Sequence, residues 1–208
     1  MGNTKRSIIS NRLIGMGDSH LDNFTYFCAA TCRIPGATSY GLTNSQSDTM
    51  AREAFLGFLS AFPKLSIPLL CVGEVDCNSL PWRLVSRDEP YQCIHESLDH
   101  LFQFIKEVDR KFILPSVTLP PVEDYRKIEA RLHVNSSKQE RTDLVKLYNK
   151  VLKATAEKNG HFFIDITTPT TGKDGLVDQS FIRSTSDAYL MPSKLYPIIK
   201  ELLDGVTL

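Results

Sequence analysis

The feature that most constrains this chain is a set of short apolar runs that do not alternate with polar residues. Arg12–Gly17, Ile67–Gly73, Lys111–Pro115 and His161–Asp165 each string together consecutive aliphatic or aromatic side chains. A strand with one wet face alternates with a period of two, whereas a strand covered on both faces has no reason to. Longer amphipathic stretches separate the runs. Ser47–Phe62 sets Met50, Ala54, Phe55, Phe58 and Leu59 at helical spacing behind a Ser cap, and Glu89–Val108 does so with Ile94, Leu98, Leu101, Phe102 and Ile105. Lys138–Lys158 carries Leu144, Leu147, Val151 and Leu152 and stops at Asn159-Gly160. A last helix is expected from about Pro192 to Leu203, with proline in its first turn. The alternation predicts an α/β fold, a three-layer α/β/α sandwich around a mostly parallel, flavodoxin-like sheet. A single domain over 1–208 is expected, with residues 1–10 as a flexible N-terminus.

Charge and cysteine content narrow the function classes. Lysine plus arginine and aspartate plus glutamate each number 24, so nothing in the balance favours nucleic acid or an anionic membrane surface as a partner. No apolar run reaches the roughly 18 to 20 residues of a bilayer span, and the polar, basic start lacks the apolar core of a signal peptide. The five cysteines are scattered; Cys28 and Cys32 fit one helix face by spacing, but nothing completes a zinc set. A cytoplasmic protein with a small-molecule substrate, and with neither metal nor other cofactor, is the expectation.

In open α/β sheets ligands sit beyond the carboxyl ends of the strands, and the first run ends there in Gly17-Asp18-Ser19-His20. A serine held at the sheet edge where a helix begins has its hydroxyl exposed to a ligand and helix-terminal amides beside it. The alternative is that Asp18 or Ser19 only caps the helix. Gly36-Ala37-Thr38-Ser39-Tyr40-Gly41-Leu42 follows, then Gly73-Glu74-Val75-Asp76-Cys77 after a buried run, and Ser186-Asp187-Ala188-Tyr189-Leu190 before the last helix. In order and spacing these segments resemble the four blocks of the SGNH/GDSL hydrolases, the first most closely. The resemblance implies Ser19 as nucleophile, with its own amide and that of Gly36 or Gly41, Gly41 preferred, stabilising an oxyanion.

The chain departs from that pattern twice. The last block offers Asp187 but no histidine, and Tyr189 stands about where the imidazole belongs. Tyrosine, with an ordinary pKa near 10, is a poor base at neutral pH. In the third block the position of the family's oxyanion-binding asparagine reads Val75, flanked by Glu74 and Asp76, carboxylates that oppose an oxyanion if they face it. Asn44 or Asn78 are candidate substitutes, Glu74 and Asp76 a candidate acid–base pair, Asp18 and His20 candidate substrate contacts. The bland alternatives are that an acid caps a helix or pairs with Arg52, Arg83 or Arg87, and that His20, whose side chain is expected to diverge from that of Ser19, is solvated or capping. His95, His100, His133 and His161 fall on helices, a polar connection and a strand start. Cys77 is a weak nucleophile candidate beside two acids, since carboxylates raise a thiol's pKa. Trp82 fits a pocket wall or a core cover equally. Three readings follow: a serine ester hydrolase or acyltransferase on a small acyl or carbohydrate ester, a repurposed site doing non-hydrolytic acid–base chemistry, and an inactive ligand-binding module.

Overall fold

A computed structural model describes residues 12–79, 90–121, 136–184 and 189–206. The four apolar runs each form a strand: β1 (Leu13–Gly17), β3 (Ile67–Cys71), β4 (Ile113–Pro115) and β5 (Phe162–Ile164). Their sheet has the order β2-β1-β3-β4-β5, every neighbouring pair parallel. This is the flavodoxin-like doubly wound order. The expected flexible N-terminus lies outside the described residues.

The strand that sequence reading missed is β2 (Ala30–Arg33). It is the edge strand beside β1, and its residues alternate between half-buried and exposed. An edge strand has less apolar surface to cover, so Ala-Thr-Cys-Arg carries no apolar run. The two cysteines that fit one helix face are separated by the fold. Cys28 closes a 3₁₀ segment, Ser19–Phe27, and Cys32 lies in β2. Burial pushes the Cys28 thiol up to about 12.

Helices cover both faces of the sheet. They are α1 (Ala51–Ser60), α2 (Glu74–Asn78), α3 (Pro90–Val108), α4 (Lys138–Lys158) and α5 (Pro192–Asp204). On one face α2, α3 and α4 pack on one another, and on the other α5 packs on the Ser19–Phe27 segment. The N-terminus of α4 is set by a reciprocal capping box between Ser137 and Glu140. Helix α1 starts later than its Ser47 cap predicts. Ser47 instead accepts the Met50 amide in a turn and shares a hydroxyl contact with Thr49, and Met50 enters the helix from the left-handed region at φ 49°. None of the described helices is long and apolar enough to cross a membrane.

Candidate functional site

The site begins where β1 runs out. A Cβ on Gly17 would lie 2.1 Å from the Cys71 carbonyl oxygen, so only glycine lets β1 close on β3 here. The Asp18 amide then donates to the same carbonyl at 2.9 Å, fixing where the chain turns. Asp18 is the N-cap of the Ser19–Phe27 segment, its Oδ1 accepting the His20 amide at 2.7 Å. The side chain is 1% exposed, and its Oδ2 is buried with no hydrogen-bond partner. Ser19 is the first residue of the segment and half-buried; neither its hydroxyl nor its amide is bonded to any described residue. Of the two alternatives for this motif, Asp18 supplies the cap and Ser19 does not.

His20 is buried rather than solvated, with 7% of its surface exposed. Its Nδ1 lies 3.5 Å from Asp18 Oδ1. Tyr189, from the last loop, packs its ring on the imidazole with centroids 4.9 Å apart and planes tilted by 30°. The Arg183 guanidinium stands over the tyrosine ring, 5.3 Å from its centroid.

A narrow cleft opens at the carboxyl ends of the strands. Asp18, His20, Asn23 and Phe24 line it from the first corner, Cys71, Val72 and Glu74 from the end of β3, Pro115 to Thr118 from the end of β4, and Ile166 from beyond β5. Two carboxylates and an imidazole therefore converge, with no lysine or arginine among the described lining residues. Ser19 and Tyr189 are not among the lining residues. Sequence reading passed over Asn23, Ser116 and Thr118, whose one signal is that polar residues follow a strand or sit in its helical turn. Ser116 fastens two of these loops, its Oγ accepting from the amides of Ile166 at 2.9 Å and Thr167 at 3.1 Å. Asp165 orients the same loop by accepting the amides of Thr167 and Thr168, as expected of a residue at a strand end.

The second and third blocks meet each other more than they meet the cleft. The Gly41 amide donates to Thr38 Oγ1 at 3.0 Å, which occupies the N–H expected at an oxyanion. The Ser39 amide donates to both carboxylate oxygens of Asp76 at 3.1 Å, and Ser97 Oγ donates to Oδ1 at 2.9 Å. Asp76 is thus a buried tie between three segments, neither lining the cleft nor paired with any described arginine. Burial pushes its carboxyl up to about 6, with the Ser39 and Ser97 bonds acting in the opposite direction. Arg52 pairs instead with Glu107 and Glu53.

Glu74 lines the cleft and accepts from Asn78 Nδ2 at 3.3 Å, so Asn78 is turned to a neighbouring carboxylate. Asn44 is exposed and accepts the Gln46 amide. Cys77 is fully buried and its thiol is pushed well up by that burial, with Asp76 and Glu74 adding to it, which removes it as a nucleophile. His95 is exposed, His100 bonds Thr43 through Nδ1, and His161 sits at the opposite end of β5, its pKa lowered by burial and by Lys111. Asp187, Trp82, Arg83, Arg87 and His133 lie outside the described residues.

The fold is that of the SGNH/GDSL-like hydrolases. A GDSL-like lipase from Bacteroides thetaiotaomicron is similar over 93% of this chain and 86% of its own, at 18% identity and a TM-score of 0.55. A variant of an acetyl-xylooligosaccharide esterase from Geobacillus is similar over 97% of both chains, at 13% identity and a TM-score of 0.53. A phospholipase A1 from Streptomyces albidoflavus is similar over 91% of this chain and 98% of its own, at 12% identity and a TM-score of 0.51. By sequence, no protein-family profile and no curated protein matches the chain.

Proposed function

We propose that this chain is a serine-dependent ester hydrolase or acyl transferase acting on a small acyl or carbohydrate ester, with Ser19 as its nucleophile. The observation that carries the reading is the state of Ser19. It stands at the carboxyl edge of a parallel sheet with hydroxyl and amide both uncommitted among the described residues, while its neighbour Asp18 does the capping. A serine retained only for the helix would hold an amide of the first turn itself. In the reaction Oγ attacks the ester carbonyl, a C–O bond forms, and the hydroxyl proton passes to a base. Collapse of the tetrahedral species expels the alcohol, which takes a proton, and water or a second alcohol resolves the acyl-enzyme. The Ser19 amide is one donor to the developing oxyanion. By sequence, Asp187 and Tyr189 stand where the family's activating pair belongs. The esterase and lipase names of the structural neighbours support an ester substrate at the level of fold.

Intact-mass labelling with a fluorophosphonate probe tests this directly. A single adduct on the natural protein, lost in Ser19→Ala, is the expected result; no adduct on the folded protein overturns it. One observation favours a second reading, non-hydrolytic acid–base chemistry. The cleft is walled by Asp18, His20 and Glu74 rather than by Ser19, and the Gly41 amide is committed to Thr38. Turnover that survives Ser19→Ala but is lost in Glu74→Gln selects that reading.

A further inference from the structure

We infer that His20 is the proton-carrying group of this site, positioned by Asp18 on one side and by the Tyr189 ring on the other, so that Tyr189 works through its ring and not its hydroxyl. The inference deepens the Ser19 reading, and its kinetic test rests on that reading.

A histidine in the first turn of a surface segment ordinarily points to water. This one is 7% exposed and lines the cleft. Its position relative to Asp18 is set by the main chain, because Oδ1 accepts the His20 amide at 2.7 Å and lies 3.5 Å from the imidazole Nδ1. A carboxylate this close to a ring nitrogen favours the protonated ring electrostatically, one of the things an acid–base histidine needs from its partner. The other constraint comes from the last loop, where the Tyr189 ring contacts both the imidazole and the Arg183 guanidinium. Tyr189 meets the imidazole with its face at 4.9 Å, an arrangement that restrains a ring, whereas a general base must bring its oxygen to the proton it takes.

Among the described residues, the titratable and charged groups bearing on His20 come from several elements. Asp18 approaches from the β1 corner, Cys71 and Glu74 share the cleft wall from β3 and α2, and Tyr189, itself in contact with Arg183, packs on the ring. Among the described residues the Asp18 carboxylate lies 3.5 Å from the ring, and the Arg183 guanidinium lies against Tyr189. In this proposal the imidazole missing from the last loop is supplied instead by the residue that follows Ser19 in the chain, and the last loop contributes the aromatic ring packed on it. His20 touches the cleft and is the catalytic candidate; Asp18 and Tyr189 are positioning residues.

Two measurements on the full chain test this. The first is the rate of fluorophosphonate labelling at Ser19 across the pH range in which imidazole titrates. The natural protein should label faster as pH rises and then level off, and His20→Gln should label about 100-fold more slowly or worse, without that inflection. Tyr189→Phe should keep the natural profile, whereas Tyr189→Leu should label more slowly with a displaced inflection. A Tyr189→Phe variant that no longer labels, or a His20→Gln variant with the natural profile, overturns the inference. The second is a titration of the imidazole nitrogens by NMR, with the His20 signals identified among the five histidines by their loss in His20→Gln. Asp18→Asn should move the His20 midpoint to lower pH, and an unmoved midpoint overturns the Asp18 pairing. If the folded natural protein takes no label at all, the nucleophile reading fails, and the NMR titration decides the His20 pairing by itself.

Discussion

At the end of β1 the chain passes through Gly17, Asp18 and Ser19 into a helical turn, and at the end of β3 it passes through Gly73, Glu74 and Val75 into another. Both corners need a glycine against a neighbouring segment, and both put acids at a helix start. They differ in where the polar groups go. At the first corner folding uses Asp18 Oδ1 and leaves over Asp18 Oδ2 and the Ser19 hydroxyl and amide. At the second, folding takes both oxygens of Asp76 and the amide nitrogen of Asn78, seals Cys77 in the core and leaves over Asn78 Oδ1. Unsatisfied polar groups are costly to bury, so one that remains beside a cleft at a strand's carboxyl end calls for a partner there, a water or a ligand. Asp18 borders the cleft and Asn78 does not, so the first corner is the one we propose for the chemistry. The second is mainly the brace that holds the Thr38–Gly41 segment and α3 in register with it, with Glu74 its one contribution to the cleft wall.

The glycines give the largest expected effects. In Gly17→Ala the new methyl would sit 2.1 Å from a backbone oxygen of the paired strand, where no side chain can swing away. Denaturant unfolding should show a loss of about 3 kcal/mol or more, the upper range for overpacking. A stable variant would mean the β1–β3 contact is slack and the corner not rigid. Gly73→Ala meets a different obstacle. Its φ of +117° suits glycine alone, and its Cβ would lie 2.7 Å from the Tyr148 hydroxyl. The expected loss is about 2 kcal/mol, from backbone strain plus the clash, and Tyr148→Phe in the same chain should recover the part due to the hydroxyl. Equal recovery in the Gly17 variant would erase the distinction between the corners.

Sequence reading reached the layers and four of the five strands because burial on both faces leaves an unbroken apolar run. It missed β2, since an edge strand needs no such run. It placed α4 to the residue, where a capping box and an Asn-Gly stop act locally, and misplaced the start of α1, where Ser47 is drawn into a turn by Thr49 and Met50. The first corner was legible because Gly-Asp-Ser-His is contiguous. The second was not, because the fate of Asp76 depends on Ser39 and Ser97, which lie 37 and 21 residues away. The cleft residues Ser116 and Thr118 belong to a loop with no motif, and only the sheet order brings them beside Asp18.

The brace carries a pH signature that the chemical corner does not need. The Asp76 carboxyl, ordinarily near 3.8, titrates at about 6 in the folded protein because burial disfavours its charge. The unfolded chain therefore loses that proton first as pH rises. The contribution is fully present below the ordinary carboxylate range and is lost as pH climbs from there through the folded value. Asp76→Asn removes this linkage, so the stability difference between the natural protein and the variant should change by on the order of 2 kcal/mol from about pH 4 to about pH 7, in the variant's favour. Parallel curves would show that Asp76 does not titrate in the brace. Ser97→Ala is the finer test. Deleting one neutral donor should cost about 1 kcal/mol, and since that bond lowers the Asp76 pKa, its loss should move the carboxyl midpoint to higher pH. An unmoved midpoint would leave the Ser39 amide as the sole effective partner, and the brace would then join two segments rather than three.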